Sequence, residues 1–286
     1  MILVRLMGGL GNQMFQYACG RALAWRTGHA LVLDPSHLAT RHPTAPRRFS
    51  LDAFPIAARL ATPADTAEAQ SLPALLWRRF GRPLASDLTM ACEHGLRFQP
   101  DLFPARFQRL CLVGYWQTEK YFSDCADLIR RDFAPRTAPD PALAARLAAA
   151  PSVALHIRRG DYAADATINS VHGLCPLDYY HRAAAHLAER VGRPQFFLFS
   201  DDPDWARAHL QLEHPLHVIS DGRRAPAEEL ALMTCCRHHI TANSSFSWWG
   251  AWLNPRPDKL ICAPRAWFRD PALDATDLVP ATWLRL

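Results

Sequence analysis

The sequence predicts a parallel α/β protein in two domains, and three observations carry that expectation. Residues from Ile2 to Asp34 read as one strand–loop–helix–strand unit, and from Val153 onward short β-type runs alternate with helical stretches. Between these regions, the segment Ala134 to Pro141 holds three prolines, the strongest break in the chain. The expected domains are therefore 1–135 and 142–286.

Ile2 to Met7 is an apolar run suited to a buried strand, and Gly8-Gly9-Leu10-Gly11 turns into a helix expected over Gln13 to Thr27. Gly28 supplies its stop, and Ala30 to Leu33 forms a second strand ending at Asp34. The stretch from about 35 to 108 is rich in Pro, Arg and Ala and reads as short helices and loops. A strand is expected at Leu110 to Trp116. A helix follows over Glu119 to Phe133, with Tyr121, Phe122, Cys125, Leu128 and Ile129 as its apolar stripe.

In the second half, strands are expected at Val153–Ile157, Phe196–Phe199, Leu216–Ile219, His239–Thr241 and Leu260–Cys262. The helices between them are expected at Leu177–Arg190, Asp204–Leu210, Ala227–Cys236 and Ser247–Leu253. Strand ends deliver Arg158 and Arg159, Ser200 to Asp202, Ser220 and Asp221, and Asn243 to Ser245. Open parallel sheets bind ligands at those carboxyl ends.

Bulk properties narrow the class. The net charge of +5 is almost all arginine, since Lys120 and Lys259 are the only lysines. A planar guanidinium suits a phosphorylated ligand, and without a basic stripe no nucleic-acid partner is expected. Eight cysteines show no C-x-x-C spacing and read as free thiols in a reducing compartment. Arg5 interrupts the first apolar run, and no stretch approaches a membrane span. The cytoplasm is the expected location, with at most peripheral contact with the inner face of the membrane.

Four segments can carry chemistry. Gly8 to Gln13 offers backbone N–H groups at a helix N-terminus, a place for an anion or a close-packed ligand. Gly9 and Gly11 fit the first glycines of a dinucleotide fingerprint, Met14 breaks the third, and Asp34 could mimic the ribose-binding acid. His156-Ile157-Arg158-Arg159-Gly160-Asp161 ends a strand. Alternation puts His156 and Arg158 on one face, and a strand-end arginine can fork onto phosphate. Asp202, before Pro203, reads as a helix N-cap; with Asp204 it makes a formal D-x-D, which the proline disfavours as a cation site, so no metal is expected. Asn243-Ser244-Ser245-Phe246 leads into a helix whose Trp248, Trp249 and Trp252 read as core. Asn243 or Ser244 would serve as its cap.

Together these segments resemble the family 11 glycosyltransferases, the bacterial-type GDP-L-fucose-dependent α-1,2-fucosyltransferases. The match runs through Gly8 to Ala18, His156 to Tyr162, Ser200 to Pro203 and Asn243 to Gly250, so it spans almost the whole chain. The resemblance implies a GT-B-like architecture, two Rossmann-like domains facing across a cleft, with the acceptor toward 1–135 and GDP-fucose mainly on 142–286. It implies that Arg158 holds the donor β-phosphate, with His156 near the donor and Asp201 or Asp202 on the guanine. Ser244, Ser245 and Phe246 would line the diphosphate, and Asn12 would face the reacting carbon. Asp161 is a weak candidate for general base, or simply a loop anchor.

The implied reaction is inverting transfer of L-fucose from GDP-L-fucose to the 2-hydroxyl of a terminal β-galactoside, on an oligosaccharide or lipid-linked glycan such as a lipopolysaccharide side chain. It needs no metal, no cofactor and no covalent intermediate. Two rivals stay open: an NAD-dependent oxidoreductase and a non-catalytic nucleotide- or carbohydrate-binding module.

Overall fold

The computed structural model describes residues 1–38, 47–67, 69, 87–149 and 151–286. Much of the 35–108 stretch read as short helices and loops, namely 39–46, 68 and 70–86, therefore lies outside the described residues. The chain forms two compact units: Met1–Ala134 with Thr276–Leu278, and Pro135–Ala275 with Val279–Leu286.

In the first unit, β1 (Ile2–Arg5), α1 (Leu10–Thr27) and β2 (Leu31–Asp34) build the expected opening unit. They are followed by β3 (Arg59–Leu60), α2 (Pro63–Ala67), β4 (Leu88–Cys92), β5 (Arg109–Val113) and α3 (Ala126–Asp132). Five parallel strands pair in the order β3-β2-β1-β5-β4. Every residue of β1 is buried, as expected of a central parallel strand covered on both faces. Gly20 lets α1 approach this sheet closely, since a Cβ there would collide with Val4.

Several expectations change here: the stretch read as short helices and loops contributes β3 and β4, and the strand expected at Leu110 to Trp116 already ends at Val113. Helix α1 starts at Leu10 rather than Gln13, because the carbonyl of Gly9 already accepts the N–H groups of Asn12 and Gln13. The helix expected over 119–133 breaks into two 3₁₀ turns, Glu119–Tyr121 and Ser123–Cys125, before α3 begins. Phe122 lies between them at φ −142°, outside helical geometry, with its ring fully buried near Phe15. Packing overrides the helical period there.

The second unit runs α4 (Pro141–Ala149), β6 (Ser152–Ile157), α5 (Gly160–Ala164), α6 (Ala166–His172), α7 (Leu177–Val191), β7 (Gln195–Ser200) and α8 (Pro203–His209). It continues with β8 (Leu216–Val218), α9 (Pro226–Cys235), β9 (His238–Ile240), α10 (Ser245–Trp252), β10 (Ile261–Ala263) and β11 (Leu284–Arg285). Six parallel strands pair in the order β11-β10-β9-β6-β7-β8. Pro141, read as linker, is the first residue of α4, where a proline loses nothing by lacking an N–H.

Val153, Leu155 and Ile157 of β6 pack into one apolar cluster with α7, while Ala154 joins Phe197, Phe199 and Leu232 in another. By alternation His156 points to the second side. Trp248, Trp249 and Trp252 are buried, and Trp283 packs against Trp248 at 5.5 Å between centroids. Among the described residues, no helix is long and apolar enough to cross a membrane.

Candidate functional site

The register of β6 on β7 sets Ile157 opposite Ser200, so the next residues, Arg158 and Asp201, leave the sheet side by side. Nη1 of Arg158 lies 3.1 Å from Oδ2 of Asp201, and Nη2 donates to Oδ1 of Asp161 at 2.6 Å. The guanidinium also sits 5.3 Å from the ring centre of Tyr162. Burial opposes its charge most strongly, yet Asp201 and Asp161 hold its pKa above the ordinary arginine value. About 25% of the side chain stays exposed, which leaves a fixed cation accessible to an anionic ligand.

Asp201 also braces the loop. Its Oδ1 accepts the N–H of Arg159 at 2.8 Å, and a Cβ on Gly160 would collide with its Oδ2. Asp161 is committed to Arg158, an arrangement that holds the guanidinium in place. Arg159 takes a different path: its Nε donates to Asp202 at 3.0 Å and its guanidinium lies 3.6 Å from the centre of the Trp205 ring. Asp202 also caps α8 by accepting the N–H of Trp205 at 3.3 Å. Both strand-end carboxylates, Asp201 and Asp202, are thus engaged by the two arginines. Asp204, the other half of the D-x-D, pairs with Arg207 on the surface. Among the described residues no group of three or more His, Cys, Asp or Glu side chains is placed to hold a metal ion.

His156 is 4% exposed and packs 5.6 Å from the ring of Phe246. Burial, assisted by the Arg158 charge, pushes its pKa down to about 3, so it is neutral at physiological pH. Its Nδ1 has no hydrogen-bond partner among the described residues. Ser244 is the N-cap residue of α10 but makes no side-chain cap bond, and Ser245 and Phe246 open the helix, half-buried. Asn243, expected as a cap or ligand contact, is a structural tie. Its Nδ2 donates to the carbonyls of His172, Gly173 and Trp267 at 2.9, 3.2 and 3.2 Å, because burial demands partners for an amide. His172 in turn stacks on Tyr162 at 4.6 Å, linking this segment to the arginine loop.

In the first unit, Gly8 adopts φ +74° and Gly9 is the N-cap of α1. Gly11 and Asn12 lie inside the first helical turn. The expected cradle of bare N–H groups therefore loses Asn12 and Gln13, whose N–H groups are used by the helix. The side chain of Asn12 is the accessible feature, and its Oδ1 accepts from Nε2 of Gln117 at 2.7 Å. Gln13 is buried and ties Gly8, Arg48 and Ser50 together through both ends of its amide. Asp34 is also buried, 3.9 Å from Arg5, so it is not offered to a ribose. Gln117 has no motif around it, and only the end of β5 reveals its connection to Asn12.

Two parallel sheets, each ending in a polar loop built from glycines and charged or amide side chains, define a two-domain GT-B-like α/β protein. Residues 103–285 match the family described as Glycosyl transferase family 11. An α-1,2-colitosyltransferase of Escherichia coli is 31% identical over 292 residues, covering 100% of this chain and 98% of that one. The O-antigen biosynthesis glycosyltransferase WbnK of Escherichia coli is 30% identical, covering 98% and 99%. The fold is shared with a single-site variant of Arabidopsis thaliana FUT1 in complex with GDP, at a TM-score of 0.54 and 11% identity over 99% of this chain and 75% of that one. The chain belongs to glycosyl transferase family 11, a family of glycosyltransferases, and this sets the dehydrogenase reading aside.

Proposed function

We propose that this protein is an inverting, metal-independent α-1,2-fucosyltransferase, moving L-fucose from GDP-L-fucose to the 2-hydroxyl of a terminal β-galactoside in O-antigen assembly. The observation that carries the reading is the Arg158 guanidinium, held by Asp161 and Asp201 at the carboxyl end of β6 beside a neutral His156. As the bond from sugar to phosphate breaks, negative charge grows on the departing diphosphate. A preorganised guanidinium offsets that charge without reorganising during the step. Ser244 and Ser245, at the N-terminus of α10, would supply further donors to the same anion. The acceptor hydroxyl attacks the opposite face, so no protein nucleophile is required.

A second reading follows from the α-1,2-colitosyltransferase, 31% identical along the whole chain. Colitose is L-fucose lacking the 3-hydroxyl, so the same phosphate clamp and linkage would serve either donor. The test is to incubate the protein with lactose and either GDP-L-fucose or GDP-colitose, in excess chelator, and to analyse products by mass spectrometry. Fucosyllactose supports the proposal, a product from GDP-colitose alone favours the second reading, and GDP binding without transfer leaves a binding module. Activity restored only by manganese or magnesium would refute metal independence.

A further inference from the structure

We propose that Gln117 is a positioning residue that locks the Asn12 amide so that Nδ2 is presented as a fixed hydrogen-bond donor to a hydroxyl of the sugar substrate. The inference rests on the transferase reading above. Gln117 Nε2 donates to Asn12 Oδ1 at 2.7 Å, and among the described residues Nδ2 of Asn12 donates to nothing. Gly8 fits this arrangement, because a Cβ there would collide with Asn12 Nδ2. An amide whose oxygen is held by Gln117 turns its N–H groups outward, so the group it meets must be an acceptor, and a sugar hydroxyl oxygen is one.

The backbone that carries Gln117 is itself braced. The register sets Cys92 beside Val113, so Glu93 and Gly114 leave the sheet as neighbours. Glu93 accepts the N–H of Tyr115 at 2.6 Å and that of Trp116 at 3.0 and 3.1 Å. A Cβ on Gly114 would come within 2.5 Å of the Glu93 Cβ, so only glycine allows the approach. Trp116 is the one non-glycine residue with positive φ among the described residues, at +56°, and is fully buried against Tyr121. Backbone of this kind persists only where its surroundings over-determine it. Here the two ends of the strained turn are the Glu93 carboxylate and the bond from Gln117 to Asn12.

Gln117→Glu and Gln117→Ala separate orientation from support. A carboxylate can only accept, so in Gln117→Glu the Asn12 amide must turn over, donate Nδ2 inward and present oxygen to the sugar. In Gln117→Ala the amide is free to rotate and recovers the productive orientation part of the time. We expect kcat/KM for the acceptor to fall about tenfold or more in Gln117→Glu and only about threefold in Gln117→Ala. GDP affinity should stay at the wild-type value in both, and circular dichroism should report the same fold. The side-chain ¹⁵N amide resonance of Asn12, assigned by its loss in Asn12→Ala, should move in Gln117→Glu.

A larger loss in Gln117→Ala than in the isosteric Gln117→Glu overturns the proposal, because that order marks a merely supporting side chain. An unmoved Asn12 resonance in Gln117→Glu overturns it as well. A wild type inactive with both donors, combined with a moved resonance, refutes the transferase reading while the control of Asn12 by Gln117 stands.

Discussion

Both sheets brace a strand-exit loop in the same way. In the first unit Glu93, just past β4, captures the N–H groups of Tyr115 and Trp116 in the loop after β5, and Gly114 makes room for it. In the second, Asp201, just past β7, captures the N–H of Arg159 in the loop after β6, and Gly160 makes room. What the two loops present is opposite in character. One aims a neutral amide pair, Gln117 and Asn12, while the other aims the Arg158 guanidinium. Among the described residues Glu93 pairs with no cation, and burial raises its pKa, whereas Asp201 shares its charge with Arg158. A common backbone device thus serves two loops, one carrying a neutral hydrogen-bonding pair and the other a fixed cation.

The largest effect that could break this contrast lies at the charged loop. Arg158→Lys keeps a positive charge but loses the planar fork, and turnover should fall roughly 10²–10³-fold, about 2.7–4 kcal/mol, with an unchanged circular dichroism spectrum. Arg159→Lys should be milder, because its contacts are with Asp202 and Trp205. Near wild-type activity in the first and a dead second variant would move the phosphate contact to Arg159.

Next come the glycines. Gly114→Ala and Gly160→Ala should each cost about 1–3 kcal/mol of stability by forcing a carboxylate off its backbone partners. Chemical denaturation reads this, and only Gly160→Ala should also weaken GDP binding in calorimetry. If Gly114→Ala weakened GDP binding equally, the two loops would not be chemically separate.

Buried histidines sharpen the picture of the second unit through pH. Burial pushes both His156 and His239 down to about 3, and Nε2 of His239 faces the Asn254 amide at 2.8 Å. Both folded-state values lie below the unfolded value near 6.5. The stability they contribute is therefore complete above pH 6.5 and is lost as pH falls through that window toward 3, where the unfolded chain takes up protons that the folded chain refuses. Each site adds a slope of up to about 1.4 kcal/mol per pH unit. His156→Gln should flatten the acid limb of a urea-denaturation series by about that amount, and an unchanged slope would show that His156 titrates alike in both states.

The smallest effect is expected at the neutral loop. Asn12→Ala should lower turnover by about 0.5–1.5 kcal/mol, the worth of one hydrogen bond, and leave GDP affinity intact. GDP affinity that fell in step with turnover would make Asn12 a donor-binding or folding residue.

The alternation of strands and helices, the glycine turn before α1 and the positions just past the strand ends were legible in the amino-acid order. These follow from local chemistry: side-chain period, proline and glycine dihedrals, and the capping preference that places Asp202 before Pro203. Trp248, Trp249 and Trp252 were also legible as core by their size and apolar setting. Strand β4 was not legible there, since Leu88 to Cys92 has little β-branched character and is a strand because it pairs with β5. Long-range packing set the three carbonyl ties of Asn243, the interruption of a helix at Phe122 and the meeting of Gln117 with Asn12, 105 residues away. The physical reason is register: pairing of parallel strands sets which exit loops are neighbours, and that choice depends on hydrogen bonds between segments far apart in the chain.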